Sequence, residues 1–491
     1  MYIINAIIAK WTHIMILRGY QTELVDSART AMQTTKKIVI VAPTGAGKTA
    51  IIISIIKTAL EKNKKILFFV HQKKLIEQTA EALKKQDIDF GYWAAGMPRK
   101  VKNLMLCMIQ TYNRRPLHVS PDLMIIDEAH RAASNIYAEA ISKSQYLIGL
   151  TATPERTDGK PLGDYFQKII ENTTIKKLIT EGYLCSYELF GADIHADYSR
   201  ARTRGGDYDA KELGEILNKN TITGDAVLHY KKLAYGKKCV VMCVNVEHAK
   251  SVAETYRAAG ISAYYLAGEC SPAYQKSLFK KFDLGEVHVI TAVNLLIEGV
   301  DIPAIECVQW LRPTKSFIVW RQGNGRGFRN SEGKLTLMIL DHVGNYQRHG
   351  LPCDDVAWSL DGRKKSKNKN EKIENLKICK SCFLVYKSDM DACPHCGAEP
   401  PKMERRKYET VEGELQKITE SKRKPQKTLE DIIVYGIEKG YKNPEAWAAH
   451  INASRQKRKP TKEDFSYAKK LREKLDDRNN ALSSVAFNPD F

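Results

Sequence analysis

The chain has 491 residues, 43% of them hydrophobic and 27% charged, which is apolar material for about three cores and argues against one compact domain. Lys and Arg outnumber Asp and Glu by 77 to 57; the formal net charge of +20 favours a polyanionic partner without separating DNA from RNA or anionic lipid. Eleven cysteines, seven scattered singly and four grouped, suit a reducing cytoplasm and exclude a disulfide framework.

In chain order, the apolar stretch Met1 to Leu17 is interrupted by Asn5, Lys10, Thr12 and His13, so neither a signal peptide nor an anchor is expected. Residues 1–14 read as an N-terminal extension, with Met15 an alternative start. No stretch reaches membrane-spanning length, so no membrane partner is expected. The run Ile38 to Val41 then reads as a strand ending in Ala42-Pro43-Thr44-Gly45-Ala46-Gly47-Lys48-Thr49. The small residues Thr44, Gly45, Ala46 and Gly47 let backbone N–H groups converge on a β-phosphate. Lys48 can reach the β- and γ-phosphates, and the Thr49 hydroxyl can ligate Mg²⁺. This pattern predicts ATP as the nucleotide, although its first position carries Ala42 rather than glycine.

Apolar runs at Ile66 to Val70, Leu104 to Ile109, Leu123 to Ile126 and Tyr146 to Leu150 alternate with amphipathic segments, which is parallel α/β periodicity. After the third of these come Asp127 and Glu128, at the strand end where open α/β sheets keep their ligands. Asp127 would hold Mg²⁺, and Glu128 would orient and deprotonate the attacking water. His130 is not required for that chemistry.

Residues 191–235 contain Arg204-Gly205-Gly206-Asp207, lack regular strand patterns and read as a connecting segment with some helix. A second α/β series follows: Cys239 to Val244, Ala263 to Leu266, Val287 to Ala292, Ile305 to Leu311 and Leu335 to Leu340. Between its strands, Ala249, Val252, Ala253 and Tyr256 recur at helical spacing, and Ser271-Pro272 forms a cap and first turn. The stretch Trp320 to Arg329 places Gln322, Arg326 and Arg329 in one loop-helix segment. Spaced three apart, the two arginines are expected on one helical face, from which both could reach γ-phosphate oxygens.

The run Arg363 to Asn370 has no apolar periodicity and marks a basic linker, residues 363–376. Residues 363–491 hold 30 Lys and Arg against 20 Asp and Glu, so about a quarter of the chain carries half of the excess charge. Within them Cys379, Cys382, Cys393 and Cys396 form two pairs ten residues apart, the spacing of a closed thiolate site for structural Zn²⁺. His395 is an alternative ligand inside the second pair.

The ordered motifs resemble superfamily 2 helicases of the DEAH-box kind: Arg18-Gly-Tyr-Gln21, the phosphate loop, Phe69-Val-His-Gln72, Gln110-Thr111, Asp127-Glu-Ala-His130, Gly149-Leu-Thr-Ala-Thr-Pro154, Thr291 to Pro303 and the arginine segment. The resemblance spans about residues 15–350 and implies two RecA-like lobes. It further implies that Arg18 and Gln21 contact adenine, and that His130, Thr151 and Thr153 couple nucleotide state to the acidic strand. Glu298, Gly299 and Asp301 would line the cleft from the second lobe, and Gln110, Thr111 and Thr291 would touch nucleic-acid phosphates. The tail is similar to RadD-type DNA repair helicases through its Cys pairs and Tyr435 to His450; Leu340 to Asn345 and His349-Gly350 fit too. Phe328 in place of leucine and Asn443-Pro444-Glu445 before Trp447 depart from that pattern.

The fold expected is α/β: two RecA-like parallel-sheet lobes, a small zinc ribbon and a helical C-terminal tail. The boundaries expected are lobe 1 at 15–190, the connector at 191–235, lobe 2 at 236–362, the linker at 363–376, the zinc ribbon at 377–400 and the basic helical region at 401–491. The expected activity is ATP-dependent helicase or translocase action on single-stranded or branched DNA, in repair, recombination or replication. RNA as client, a motor subunit of a restriction complex, and an ATPase-dead nucleic-acid-binding adaptor are the alternatives. A protein partner would dock through the zinc ribbon or the tail.

Overall fold

The computed structural model describes residues 15–131, 135–155, 160–191, 198, 201–204, 206–217, 221–293, 305–361, 376–399, 428–456 and 459–485. The chain forms two compact units, residues 1–402 and 403–491. In the first unit, helices α1 (Gly19–Thr34), α2 (Lys48–Glu61), α3 (Lys73–Lys84), α4 (Ile109–Arg114), α5 (Asn135–Ser142) and α6 (Ile175–Thr180) accompany strands β1 (Lys37–Val41), β2 (Ile66–Val70), β3 (Gly91–Trp93), β4 (Leu104–Met108), β5 (Leu123–Asp127), β6 (Tyr146–Thr151) and β7 (Lys168–Ile170). The strands form one parallel sheet in the order β3-β4-β2-β5-β6-β1-β7. Its central strands are apolar on both faces because helices cover both, and α3 buries Ile76, Thr79, Ala80 and Leu83 along one stripe.

The second lobe is built from α8 (Thr221–Leu233), β11 (Cys239–Met242), α9 (Val246–Ala258), β12 (Ala263–Leu266), α10 (Pro272–Asp283), β13 (Val289–Ala292), β14 (Cys307–Trp310), α11 (Phe317–Gly327), β15 (Thr336–Asp341) and α12 (Asn345–His349). Ser271 caps α10 by accepting from Tyr274 N at 3.2 Å, and Ala249, Val252, Ala253 and Tyr256 are buried on α9, as the sequence pattern predicts. The parallel sheet runs β12-β13-β11-β14-β15-β8, where β8 is Ser186–Gly191. This corrects the sequence boundary at 190: β8 pairs in parallel with β15 from Ser186↔Thr336 to Gly191↔Asp341, so the crossover precedes residue 186. With β14 paired along one side of β15, β8 takes up the backbone N–H and C=O groups along the other.

The connector also differs from its strandless reading. It holds a hairpin, β9 (Thr203–Arg204) and β10 (Asp207–Tyr208), followed by α7 (Ala210–Leu217). After α12 the chain returns to lobe 1, where Leu360 O accepts from Gly163 N at 2.9 Å. The antiparallel pair β16 (Leu376–Ile378) and β17 (Val385–Lys387) frames the cysteine cluster. It docks on the outer edge of β8, with Gly191 N donating to Phe383 O at 3.1 Å.

The second unit is helical in its described residues: α13 (Leu429–Glu438), α14 (Pro444–Arg455) and α15 (Lys462–Val485). Thr428 and Asp431 form a capping box at α13, and Ile432, Ile433 and Ala448 make the core. No helix among the described residues is long and apolar enough to cross a membrane.

Candidate functional site

The phosphate loop takes its shape from two left-handed glycines, Gly45 at φ 89° and Gly47 at φ 73°. Gly47 is required twice, since a Cβ there would also lie 2.5 Å from Gln21 Nε2. The loop is braced from α1: Tyr20 Oη and Gln21 Nε2 each donate to Ala46 O at 2.9 Å, and Gln21 Oε1 accepts from Arg18 N. Both ends of the Gln21 amide are thus engaged within the protein. Arg18 lies over the Tyr183 ring at 5.0 Å, outside the residues that line the phosphate cleft.

At the end of β5, Asp127 Oδ1 accepts from Glu128 N at 2.9 Å, and Glu128 itself sits at φ 52°, a conformation costing a non-glycine residue about 1 kcal/mol. Burial and the neighbouring Glu128 carboxylate, opposed by Lys48, push Asp127 up to about 6. His130 Nδ1 is 3.4 Å from Glu128 Oε2 and 3.1 Å from Thr151 Oγ1. The Thr151 hydroxyl donates to Thr153 O at 3.0 Å and accepts from Thr153 N at 3.1 Å, which ties the His130 ring to the Thr151–Thr153 turn. Thr153 Oγ1 in turn accepts from Gln322 Nε2 of lobe 2 at 3.5 Å.

A cleft of about 540 Å³ joins these parts. Thr44, Gly45, Gly47, Lys48, Thr49, Asp127 and Glu128 line it from lobe 1; Gln322, Arg326 and Arg329 line it from lobe 2. The lobes meet tightly: a Cβ on Gly325 would lie 2.8 Å from Thr44 Cβ, and one on Gly45 would lie 3.5 Å from Arg329 Cγ. One expectation needs a different reason. Helix α11 ends at Gly327 with Phe328 as its cap, so Arg329 is not on the same helical face as Arg326; a backbone bridge to Leu184 places it instead. Gln322 Oε1 is buried without a hydrogen-bond partner among the described residues, which suits an acceptor waiting on a ligand or a reacting water.

Of the predicted nucleic-acid contacts, Gln110 is exposed with Nε2 donating to His71 O at 3.3 Å, and Thr111 is half-buried beside it. Thr291 is corrected: it is fully buried and donates to Ala249 O at 2.7 Å, so its side chain ties β13 to α9 instead of reaching the surface. Glu298, Gly299 and Asp301 lie outside the described residues. Asp207, Asn345, Tyr20 and Tyr183 carry structural roles here that the sequence did not single out. Tyr20 and Asn345 stood inside quoted motifs and Asp207 closed the quoted Arg204-Gly205-Gly206-Asp207 stretch, whereas Tyr183 gave no signal.

The sulfurs of Cys379, Cys382, Cys393 and Cys396 all lie within 4.8 Å of one another. Tetrahedral Zn–S bonds of about 2.3 Å place sulfurs about 3.8 Å apart, so the donor set fits zinc. His395 is not part of it. Its Nδ1 faces Glu188 Oε1 at 3.3 Å, and its ring stands edge-on to Phe190 at 5.5 Å.

Two RecA-like lobes with a phosphate loop and paired carboxylates on one and arginines from the other define a two-lobe nucleic-acid-dependent ATPase. The family described as "Type III restriction enzyme, res subunit" matches residues 14–156, and "Helicase conserved C-terminal domain" matches residues 219–331. The "51.5 kDa protein" of Lactococcus phage (isolate 7-9) is 31% identical, the match covering 77% of this chain and 82% of the relative. The Saccharomyces cerevisiae protein IRC3, whose name assigns it provisionally to the ATP-dependent helicases, is 28% identical over 67% of this chain. The match spans only 52% of that relative's length. The "DNA 3'-5' translocase XPB2" of Sulfurisphaera tokodaii is 26% identical, over 67% of this chain and 83% of the relative. Among solved structures, the ATP-dependent Type ISP restriction-modification enzyme LlaBIII bound to DNA shares the fold at TM-score 0.52 and 16% identity, over 67% of this chain and 28% of that one. The chain belongs to the superfamily 2 helicases.

Proposed function

We propose that the chain is an ATP-driven DNA translocase or helicase of the RadD type that acts in DNA repair inside the cell. The observation that carries the catalytic part is the shared cleft, in which Gln322, Arg326 and Arg329 stand opposite Lys48, Thr49, Asp127 and Glu128. In this reading Thr44 to Lys48 cradle the phosphates, and Thr49 and Asp127 would hold Mg²⁺, which would supply charge neutralisation to them. Glu128 orients the attacking water and takes its proton. Arg326 and Arg329 stabilise charge on the transferring phosphoryl group, and Gln322 reports its presence through Thr153, Thr151 and His130 to the carboxylates. Arg18 and Tyr183 take the adenine end.

A polyanionic client is supported by the net charge of +20, and DNA in particular by similarity to a relative named as a DNA translocase. The repair role is supported by the cysteine module behind the motor and the Tyr435 to His450 segment. Zn²⁺ on the four cysteines would shape that module as a second contact for DNA or for a protein partner. The match to a restriction-enzyme subunit family supports a second reading, a motor that serves a separate nuclease subunit.

The test is ATP hydrolysis across single-stranded DNA, branched DNA and RNA, with Lys48→Ala and Glu128→Gln as controls. Stimulation by DNA, lost in both variants while the fold persists, is expected. Stimulation by RNA alone would replace the client, and undiminished turnover in either variant would refute the catalytic assignment.

A further inference from the structure

We infer that Asp207, in the connector and 119 residues before Arg326, is a positioning residue that sets the arginine helix α11 against the nucleotide cleft. This rests on the reading of Arg326 given above. The Asp207 carboxylate accepts four hydrogen bonds: Tyr208 N at 2.8 Å and Lys315 N at 2.7 Å on Oδ1, Arg312 Nη2 at 2.8 Å and Thr314 Oγ1 at 2.8 Å on Oδ2. Three of the four donors belong to one loop, residues 312–315, which leads directly into α11. The Arg312 and Asp207 side chains are only 10% and 14% exposed, so this is a held pair and not a surface contact. The hairpin closes on the same loop a second time. Lys315 Nζ donates to Thr203 Oγ1 at 2.6 Å and stands 4.4 Å over the Tyr208 ring.

From Asp207 the hold continues into the helix. Thr314 Oγ1 gives its hydrogen to Asp207 and accepts from Ser316 N at 3.0 Å, and Ser316 caps α11 by accepting from Val319 N. On the far side of the loop, the fully buried Asn345 accepts from Thr314 N at 2.9 Å and donates to Arg312 O at 3.0 Å; the His349 ring pairs with Thr314 O. The loop is therefore gripped from two sides, by residues far from it in sequence. Arg326 lies ten residues from the Ser316 cap, about 15 Å along the axis, so a pivot of about 10° at the cap moves it by about 3 Å. Catalytic groups lose about a hundredfold for 1 Å of misplacement, which makes a loose cap visible in turnover.

The experiment is a double-mutant cycle on the full chain, using Asp207→Asn and Arg326→Ala, with kcat and KM for ATP under saturating single-stranded DNA and the thermal midpoint alongside. Asp207→Asn keeps the shape and removes the charge. It is expected to lower kcat about tenfold with KM within about twofold of native. In the Arg326→Ala background it is expected to add nothing, because its route to the reaction is already cut. Thr314→Val, which removes one donor to Asp207, should repeat the kcat loss, and Thr314→Ser should restore native turnover; this pair carries the test should Asp207→Asn fail to fold. A tenfold loss in both backgrounds, or a lowered midpoint with native kcat, would overturn the proposal. Arg326→Ala with native kcat would instead remove the reading beneath it.

Discussion

The two lobes bring their groups to one cleft by different means. Lobe 1 presents Thr44 to Thr49 and Asp127 to His130 as two contiguous loops, each shaped by its own backbone: the left-handed Gly45 and Gly47 in one, the strained Glu128 in the other. Lobe 2 presents Gln322 and Arg326 from a single helix whose lead-in is fixed by Asp207, Asn345 and His349, and Arg329 by a bridge to Leu184. Arg321 on that helix also donates to Asp354 O at 2.5 Å, in the segment that recrosses to lobe 1. Strand-tip chemistry is held within its own lobe, where α1 braces the phosphate loop, whereas an arginine delivered across a cleft needs the second lobe assembled first.

The largest expected effect tests the local half. Gly47→Ala forces a Cβ into the Gln21 amide at a positive φ, costing about 1–2 kcal/mol in backbone strain before the clash is counted. ATP affinity measured by calorimetry should fall with it, and native affinity would show that the loop is not conformationally demanding. Next, Asn345→Ala breaks the remote half by removing two buried hydrogen bonds, at about 1–3 kcal/mol for each group left unsatisfied. Here kcat should drop about tenfold at unchanged ATP affinity, and a parallel loss of affinity would erase the distinction between the lobes.

A smaller effect is expected at the β8 edge, where the cysteine module supplies Phe383 O and Leu384 to Gly191 and Phe190. Cys393→Ser or chelation should lower the midpoint of lobe 2 by a few degrees, corresponding to about 1 kcal/mol, read by hydrogen exchange in β8 and β15. Unchanged protection there would mean that the module rests on lobe 2 without supporting it.

The smallest concerns Asp127. With its carboxyl raised to about 6, proton and Mg²⁺ compete for it below that pH, so the Mg²⁺ needed for half-maximal turnover should rise as pH falls through about 6. Because the folded-state value lies above the ordinary 3.8, ionisation disfavours the metal-free fold; its stability should decline as pH rises from about 4 to about 6, and Mg²⁺ should flatten that slope. A Mg²⁺ requirement constant from pH 8 to pH 5 would place the metal elsewhere.

Much of this was legible in the order of residues. Apolar runs of strand length, a phosphate loop with its glycines, an acidic strand tip and two Cys pairs are local patterns, and their chemistry follows from residues within a few positions of one another. Two RecA-like lobes, the grouping of Lys48 with Thr49, and the four-thiol cluster were therefore settled by the sequence. The tertiary structure alone decided that Ser186–Gly191 joins the second sheet, that Thr291 is buried under Ala249, that Arg329 is placed by Leu184 beyond the helix, and that Asp207 grips the loop before α11. Each of these depends on which sheet edge stands open or which buried donor lacks an acceptor once distant segments have packed. A strand's apolar pattern does not name the edge it will cover, and a carboxylate's neighbours in the chain do not name the arginine it will meet.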